Sequence, residues 1–250
     1  MIFDSHVLIL NTPVPGETVT GEEVVEMMDE EKIDKSIVFN LTPFSQVKDH
    51  DYSKANEEVA KEVKKFPDRL IGFARTNPWM KEKAVKDLEY AVKVLGLKGL
   101  KLHPTIDWFG ANSDIVFPLA ELCGKLGVPI NMHTYEPPKA LPALVGDLAE
   151  KFPDTKIIMT HMGGSLYFGE AIIVAKNLEN LYLNTAGVYQ PQIIKIAVDK
   201  LGANRIIFGS DFPWGNPKIE LAKVEVSGIT EEQKELVLGK NLARVLGMTA

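Results

Sequence analysis

The stretch LKGLKLHPTIDWFGANSDIVFPLAELCGKLGVPINMH, which runs from Leu97 to His133, decides the fold. It opens with a β-rich run that ends at His103, continues through a helical stretch from Val116 to Leu126, and closes with a second β-rich run, Pro129–His133. A strand, a helix and another strand in this order indicate a βαβ unit with two parallel strands. Because both runs end in a histidine, the two strands carry polar side chains at the same edge of the predicted sheet.

The same unit repeats along the 250 residues of the chain. The β-rich runs begin 24–34 residues apart, and amphipathic stretches such as Lys54–Lys65 and Glu82–Val94 lie between them. Eight such units predict an α/β protein with a TIM-like (β/α)8 barrel. A doubly wound open sheet is the alternative, but no glycine-rich turn follows the first run. We expect one barrel domain over residues 1–250, with strands at Ile2–Leu8, Ser36–Asn40, Leu70–Arg75, Leu97–His103, Pro129–His133, Lys156–His161, Leu181–Thr185 and Arg205–Gly209.

The composition excludes several classes of protein. The chain is 45% hydrophobic and 25% charged, as in an ordinary globular protein with a large core. Its net charge of -6 argues against nucleic acid as a partner. There is no signal-peptide pattern and no apolar run long enough for a membrane span, and the single cysteine, Cys123, indicates a reducing compartment. We therefore expect a cytoplasmic protein that binds a small molecule away from membranes, and we leave a homo-oligomer open.

Polar side chains occupy the last inward-facing positions of nearly every predicted strand. A purely structural barrel would fill these positions with valine, isoleucine and leucine. Four of the five histidines are among them, and His50 is the exception. Because the carboxyl ends of barrel strands surround one mouth, we expect these side chains to share one site. The set comprises Asp4, His6, Asn40, Arg75, Lys101, His103, Asn131, His133, His161, Asn184 and Asp211.

Four members of this set suit a divalent metal. Neutral imidazoles with one carboxylate are typical ligands of zinc, which activates a bound water or polarises a carbonyl. We expect Asp211 to bind the metal and to accept a proton, with His161 as the second catalytic group. The predicted ligands are His6, His133, His161 and Asp211.

Five segments of the chain carry a resemblance to a known family. They are FDSHVLIL (residues 3–10), GLKGLKLHP (96–104), PINMHTYEP (129–137), IIMTHMGG (157–164) and IIFGSDFPWG (206–215). These segments resemble the amidohydrolase superfamily, in particular its amidohydrolase-2 branch, the relatives of aminocarboxymuconate-semialdehyde decarboxylase. The resemblance implies a TIM-like barrel with a single divalent metal, usually zinc, and either hydrolysis of amides, esters and lactones or non-oxidative decarboxylation.

The resemblance also assigns roles to individual residues, with one departure. The family's first motif is His-x-His at the end of the first strand; His6 matches its first histidine, but Leu8 stands at the second. By resemblance, His133 is the ligand from the fifth strand and Asp211 the carboxylate from the eighth. Because three protein ligands can hold a catalytic zinc, we still expect a metal site.

Three functions remain open at this point. We expect first a metal-dependent hydrolase of a small amide, ester or lactone; the second is a decarboxylase of a small acid, and the third is a catalytically silent barrel that binds a ligand. A carboxylated Lys101 bridging two metals is a less favoured idea. The cationic side chains also have a structural interpretation as interior ion pairs, for example with Asp4. The predicted substrate-binding residues are Arg75, Lys101, His103, Asn184 and Trp214.

The loops that follow the strands are candidate walls or lids of the site. Asn11–Val19 and Pro104–Ser113 are the longest irregular segments. Aromatic residues after strand ends could form a pocket for a planar acid or only cover the barrel top. They are Trp108, Phe109, Tyr135 and Trp214.

Overall fold

Short parallel strands form the centre of the protein. The structure is a computed structural model that describes residues 1–10, 18–41 and 50–248, so most of the predicted Asn11–Val19 lid lies outside the described residues. Every pairing between named strands is parallel, and consecutive strands pair with each other in two runs, one of three strands and one of six. The strands are β1 (Phe3–Ile9), β2 (Lys35–Asn40), β3 (Leu70–Gly72), β4 (Ala74–Arg75), β5 (Leu100–Leu102), β6 (Ile130–His133), β7 (Ile157–Thr160), β8 (Leu181–Asn184) and β9 (Ile206–Ile207).

Backbone hydrogen bonds close the strands into a barrel. The third predicted strand is split at Phe73 into β3 and β4. At the split, Phe73 N donates to Val38 O of β2 on one side, and Ala74 N donates to Gly99 O, just before β5, on the other. At the seam, Ser5 N donates to Phe208 O and Asp211 N donates to His6 O, which joins the last strand region to β1. The split therefore leaves eight strand positions, and the predicted (β/α)8 barrel is confirmed.

Helices surround the strands. Two of the helices begin with a capping box, formed by Thr20 with Glu23 and by Thr230 with Gln233. Cys123 is fully buried in the fourth helix. None of the described helices combines the length and the apolar character that a bilayer span requires. The helices are α1 (Gly21–Glu30), α2 (Ser53–Lys65), α3 (Glu82–Lys93), α4 (Phe117–Leu126), α5 (Pro142–Lys151), α6 (Gly164–Ala175), α7 (Pro191–Leu201), α8 (Pro217–Glu225), α9 (Glu231–Glu235) and α10 (Asn241–Val245), with a π-helical turn at Leu236–Lys240 between the last two.

Strand β1 contains an irregularity beside the site. Asp4 pairs with Ser36, but the next pair is Val7 with Val38, so β1 has one extra residue between the two pairs. A bulge of this kind breaks the strict alternation of side chains along a strand. The face on which Leu8 lies therefore does not follow from the position of His6. Leu8 is fully buried and belongs to the hydrophobic core, and its place in the family motif stays a prediction.

Candidate metal centre

The polar ring predicted at the strand ends is present and mostly buried. Each histidine of the ring is at most 7% exposed as a whole residue, and the side chain of Asp211 is 19% exposed. The ring centroids of His6 and His133 lie 5.1 and 4.9 Å, respectively, from the ring centroid of His161. The four predicted metal ligands therefore surround one region at the barrel mouth.

Three of these ligands form a compact cluster. In the part of the chain that the structure describes, ligand atoms of His6, His161 and Asp211 all lie within 4.8 Å of one another. His6 Nε2 is 3.2 Å from Asp211 Oδ1. Two atoms that share one divalent ion as ligands lie roughly 3–3.5 Å apart. The His6–Asp211 spacing therefore suits a common metal.

The protonation of the two clustered histidines favours metal binding. Burial lowers the pKa of His6 and of His161 well below the ordinary histidine value, so both rings are neutral near pH 7. His161 Nδ1 lies 3.0 Å from the carbonyl oxygen of Ala186, to which only a protonated nitrogen can donate. This bond fixes the tautomer and leaves the Nε2 lone pair of His161 available to a metal.

Two orphaned polar atoms support the fit of a cation. Asp4 Oδ1 accepts hydrogen bonds from the backbone N–H groups of His6 and Ser210. Asp4 Oδ2 and His6 Nδ1 are buried with no hydrogen-bond partner in the described structure. Burial raises the pKa of Asp4 to about 7. A divalent cation held at His6 would keep this carboxylate ionised. The two imidazoles and one carboxylate of the cluster are a donor set that a divalent metal accepts.

Left-handed backbone conformations place two of the ligands. His161 has φ +65° and Asp211 has φ +61°, values that cost a residue with a side chain about 1–3 kcal/mol. At the first position, Asn184 Oδ1 accepts from His161 N at 3.3 Å and from Ala186 N at 2.8 Å. At the second position, Asp211 O accepts from Gly215 N. Such strain persists where surrounding bonds hold it, and it is common at functional sites.

His133 lies beside the cluster but faces another partner. Its ring stacks on His103 at 3.7 Å, and its Nε2 is 2.9 Å from Glu136 Oε2. Thr105 Oγ1 donates to the same carboxylate. The described group of mutually close ligand atoms does not include His133, so its role as a ligand stays a prediction. The His-x-x-Glu spacing just after a strand was a signal that our sequence reading did not use.

The predicted substrate-binding cations are engaged inside the barrel. Arg75 Nη2 contacts Asp107 Oδ2 at 2.7 Å, and both side chains are at most 1% exposed. The structural interpretation of Arg75 as part of an ion pair thus agrees with the structure, with Asp107 as the partner instead of Asp4. Lys101 is fully buried, its Nζ donates to Asn131 Oδ1 at 3.1 Å, and burial lowers its pKa well below the usual lysine value. Their contact with a substrate stays a prediction.

A cavity of about 810 Å³ opens at the carboxyl ends of the strands. All three clustered ligands line it, and so do the predicted substrate-binding residues His103 and Trp214, whereas Arg75, Lys101 and Asn184 are not among its described walls. The lining residues are His6, Leu41, His103, Thr105, Ile106, His133, Tyr135, Glu136, His161, Gly187, Tyr189, Asp211, Trp214, Gly215, Asn216, Ile219, Glu220 and Lys223.

The cavity wall includes an ion pair that our sequence reading missed. Lys223 Nζ is 2.5 Å from Glu220 Oε1, and the two side chains are 10% and 7% exposed. The pair stands three residues apart on α8, a spacing that in a sequence looks like an ordinary surface pair. Its burial in the wall could not be recognised without the structure.

Comparisons with known sequences identify relatives of the chain. A profile described as amidohydrolase matches residues 41–248. The 2-amino-3-carboxymuconate-6-semialdehyde decarboxylase of Dictyostelium discoideum is 24% identical over 237 residues, which cover 77% of this chain and 65% of that protein, slightly less than two thirds. The gamma-resorcylate decarboxylase of Polaromonas sp. is 25% identical over 85% of this chain and 83% of its own length.

Solved structures share the fold. The 5-carboxyvanillate decarboxylase of Sphingomonas paucimobilis has a TM-score of 0.81 at 16% identity, over 99% of both chains. A 2,6-dihydroxybenzoate decarboxylase in complex with 2,6-dihydroxybenzoate has a TM-score of 0.78 at 20% identity, over 98% of both chains. The dihydroxybenzoic acid decarboxylase of Polaromonas sp., with bound manganese and 2-nitroresorcinol, has a TM-score of 0.77 at 21% identity, over 98% of this chain and 96% of that one.

These findings overturn our first functional expectation. All five of these proteins are named as decarboxylases. The prediction of a hydrolase of an amide, ester or lactone is therefore wrong, and the decarboxylase alternative agrees with the relatives. The error has a physical origin, because a metal with histidine and carboxylate ligands serves both reactions. A divalent metal is supported, and the bound ion in the Polaromonas structure is manganese, not the predicted zinc.

Proposed function

We propose that this chain, which belongs to the amidohydrolase family, is a metal-dependent non-oxidative decarboxylase of a small aromatic acid. The observation that carries the proposal is the cluster of His6, His161 and Asp211, whose ligand atoms lie within 4.8 Å of one another in the wall of the cavity. The relatives named above supply the reaction class. The cavity, about 810 Å³ in volume, is large enough for a single aromatic ring with substituents.

The reaction requires a proton and no water. The bond between the ring carbon and the carboxylate breaks, its electron pair stays on the ring carbon, and a proton replaces the released carbon dioxide there. The bound metal would supply positive charge that orients the acid and stabilises the negative charge developing on it. His6, His161 and Asp211 are the residues that would hold it. We assign the proton movement at the ring carbon to Asp211, which lines the cavity, whereas His161 would use Nε2 for the metal and Nδ1 for Ala186 O.

We propose manganese as the ion before zinc. The cluster offers two imidazole nitrogens and one carboxylate. Oxygen ligands suit manganese, whereas zinc accepts the same mixed set at lower coordination number. Loading the metal-depleted protein with each of the two ions in turn tests this choice.

The test is release of carbon dioxide from defined acids. Metal-depleted protein is loaded with manganese or with zinc and incubated with hydroxybenzoic acids, including the 2,6-dihydroxybenzoate bound in one of the structural relatives. We expect carbon dioxide and the ring product in equal amounts, and no release from metal-depleted protein. An Asp211→Asn variant should lose release, whereas Asp154→Asn, an exposed position before β7, should keep it.

Two results would contradict the proposal. Protein purified without added metal or chelator that contains no divalent ion and binds none in titration would favour the catalytically silent barrel. Metal binding without release of carbon dioxide from any acid in a broad panel would remove the decarboxylase assignment.

A further inference from the structure

The described walls of the cavity contain more acidic than basic side chains. Asp211, Glu136 and Glu220 are carboxylates, and Lys223 is the one lysine or arginine among the described lining residues. Lys223 is already paired with Glu220. The carboxylate that is to be removed would find its counter-charge at a bound metal, and no unpaired cation among the described wall residues is left for a second carboxylate.

The ion pair on α8 is unlike the surface pairs of this protein. Lys125 and Glu121 form a pair within one helix whose side chains are 68% and 58% exposed. The side chains of Lys223 and Glu220 are 10% and 7% exposed. Removing two charges from water costs more than their attraction usually returns. A buried pair in a cavity wall is therefore a poor device for stability alone.

The pair has hydrogen-bonding capacity to spare. Lys223 Nζ donates to Glu220 Oε1 at 2.5 Å and to Val188 O at 2.7 Å, which uses two of the three donors of an ammonium group. Glu220 Oε2 is buried and has no partner among the described residues. Lone buried polar atoms of this kind call for an explanation. Together the two side chains carry one donor and one acceptor that have no partner among the described residues.

Nearby charges shape what this pair can bind. Burial, with smaller contributions from the charges of Asp211 and Asp4, raises the pKa of Glu220 to about 7 against the opposing effect of Lys223. Glu220 and Asp211 are carboxylates in the wall of the same cavity, so an added anion beside Glu220 would be repelled. A hydroxyl group is neutral and matches the pair, since it accepts from an ammonium and donates to a carboxylate.

We propose that Glu220 and Lys223 form a specificity subsite for a hydroxyl substituent of the substrate, and that the pair disfavours acids with a second carboxylate. This inference rests on the proposed function and narrows its substrate class to monocarboxylic hydroxy-aromatic acids. Neither residue takes part in breaking the bond.

Binding to manganese-loaded protein tests the subsite independently of turnover. The probes are benzoate, 3-hydroxybenzoate, 4-hydroxybenzoate and benzene-1,3-dicarboxylate, measured by calorimetry. The hydroxyl stands at position 3 or 4 because an ortho hydroxyl would lie next to the carboxylate and report on the metal. We expect the better hydroxybenzoate to bind about tenfold more tightly than benzoate, as one hydrogen bond to a charged group would give. The dicarboxylate should bind more weakly than benzoate.

Two variants separate recognition from folding. Lys223→Met should bring the hydroxybenzoate-to-benzoate affinity ratio close to one while the affinity for benzoate stays, and the exposed Lys218→Met on the same helix should leave the ratio unchanged. Glu220→Gln removes a negative charge and should raise the affinity for the dicarboxylate, a gain that damage to the fold would not produce. Thermal unfolding of each variant identifies any that is misfolded.

The possible outcomes distinguish this inference from the proposed function. A wild-type protein that binds the dicarboxylate as tightly as benzoate, a ratio that survives Lys223→Met, or no binding of any probe at millimolar concentration overturns the subsite. Release of carbon dioxide without a hydroxyl preference refutes the subsite and keeps the decarboxylase. A hydroxyl preference without any release of carbon dioxide supports the subsite and refutes the decarboxylase.

Discussion

Replacing Asn184 with alanine tests whether this buried side chain positions the candidate metal ligand His161. Our sequence reading placed Asn184 in the substrate site, but the structure gives it a different set of contacts. Its Oδ1 accepts from the backbone N–H groups of His161 and Ala186, and its Nδ2 donates to Ser5 Oγ at 2.5 Å. The side chain is fully buried and is not among the described walls of the cavity. We therefore expect it to act by positioning His161.

The size of the effect follows from these bonds. Asn184→Ala leaves two buried N–H groups without their acceptor, and each such group costs about 1–3 kcal/mol. Water entering the vacated space recovers part of this, so we expect a loss of about 3 kcal/mol in the free energy of unfolding. For a chain of this length that corresponds to a fall of about 6–12 °C in Tm. His161 also loses support for its left-handed conformation, so metal affinity should fall by about 10–100-fold.

The assay combines urea unfolding of the metal-free protein with titration of manganese into the folded protein. Asn177→Ala, at an exposed position, is the control and should change the free energy of unfolding by less than about 0.5 kcal/mol. A positioning role predicts that stability and metal affinity fall together. A variant with normal stability and normal metal affinity, but with weaker binding of the acid, would refute this reasoning and restore Asn184 to the substrate site.

The remaining predictions concern chemistry, backbone, titration and an ion pair. Asp211→Asn should lower kcat by about 10²–10⁴-fold with metal still bound, and the metal content of the same sample has to be measured with the rate. Gly164→Ala should destabilise the fold by about 1–3 kcal/mol in urea unfolding, because φ is +61° there and a Cβ would lie 2.6 Å from a tyrosine ring atom. Burial holds the pKa of His103 well below 6.5 in the folded protein, so the unfolded chain takes up a proton first as the pH falls below 6.5 and stability is lost. His103→Phe should therefore reduce the pH dependence of the unfolding free energy in that range by up to about 1.4 kcal/mol per pH unit, measured on metal-free protein. Arg75→Met should cost about 3–5 kcal/mol by leaving Asp107 buried without its partner, and adding Asp107→Leu should recover most of this loss; equal stability of the single and double variants would show that the ion pair has no such role.

The barrel could be predicted because its evidence is local and repeated. A β-rich run followed by an amphipathic stretch specifies one unit, and the recurrence of that unit specifies the architecture. The limits of the strands were less predictable. The fourth run, Leu97–His103, shrinks to Leu100–Leu102, and the eighth, Arg205–Gly209, shrinks to Ile206–Ile207. Hydrogen bonding between neighbouring strands decides these limits, and a single sequence contains no record of it.

The candidate site was predictable in its residues but less so in their partners. Strand ends and the family motif pointed to His6, His161 and Asp211, because the position of a side chain on a barrel strand is a local property. The partner of Arg75 could not be deduced, since Asp107 comes from a loop after the next strand. Lys223 was missed for a related reason. Its helical spacing from a glutamate is common on surfaces, and only the packing of α8 over the barrel mouth makes it part of a cavity wall.

A network of polar side chains beneath the ligands explains why the barrel interior departs from an aliphatic core. Lys101 Nζ donates to Asn131 Oδ1, Asn131 Nδ2 donates to Ser5 O, and Asn184 Nδ2 donates to Ser5 Oγ. These bonds connect strands β5, β6 and β8 to the residue just before His6. Aliphatic side chains would fill the same space at lower cost in desolvation, but they would not fix the direction of a backbone that carries a ligand. We therefore expect metal affinity to depend on several strands together, and substitutions in this network should weaken metal binding although none of its members belongs to the cluster of His6, His161 and Asp211.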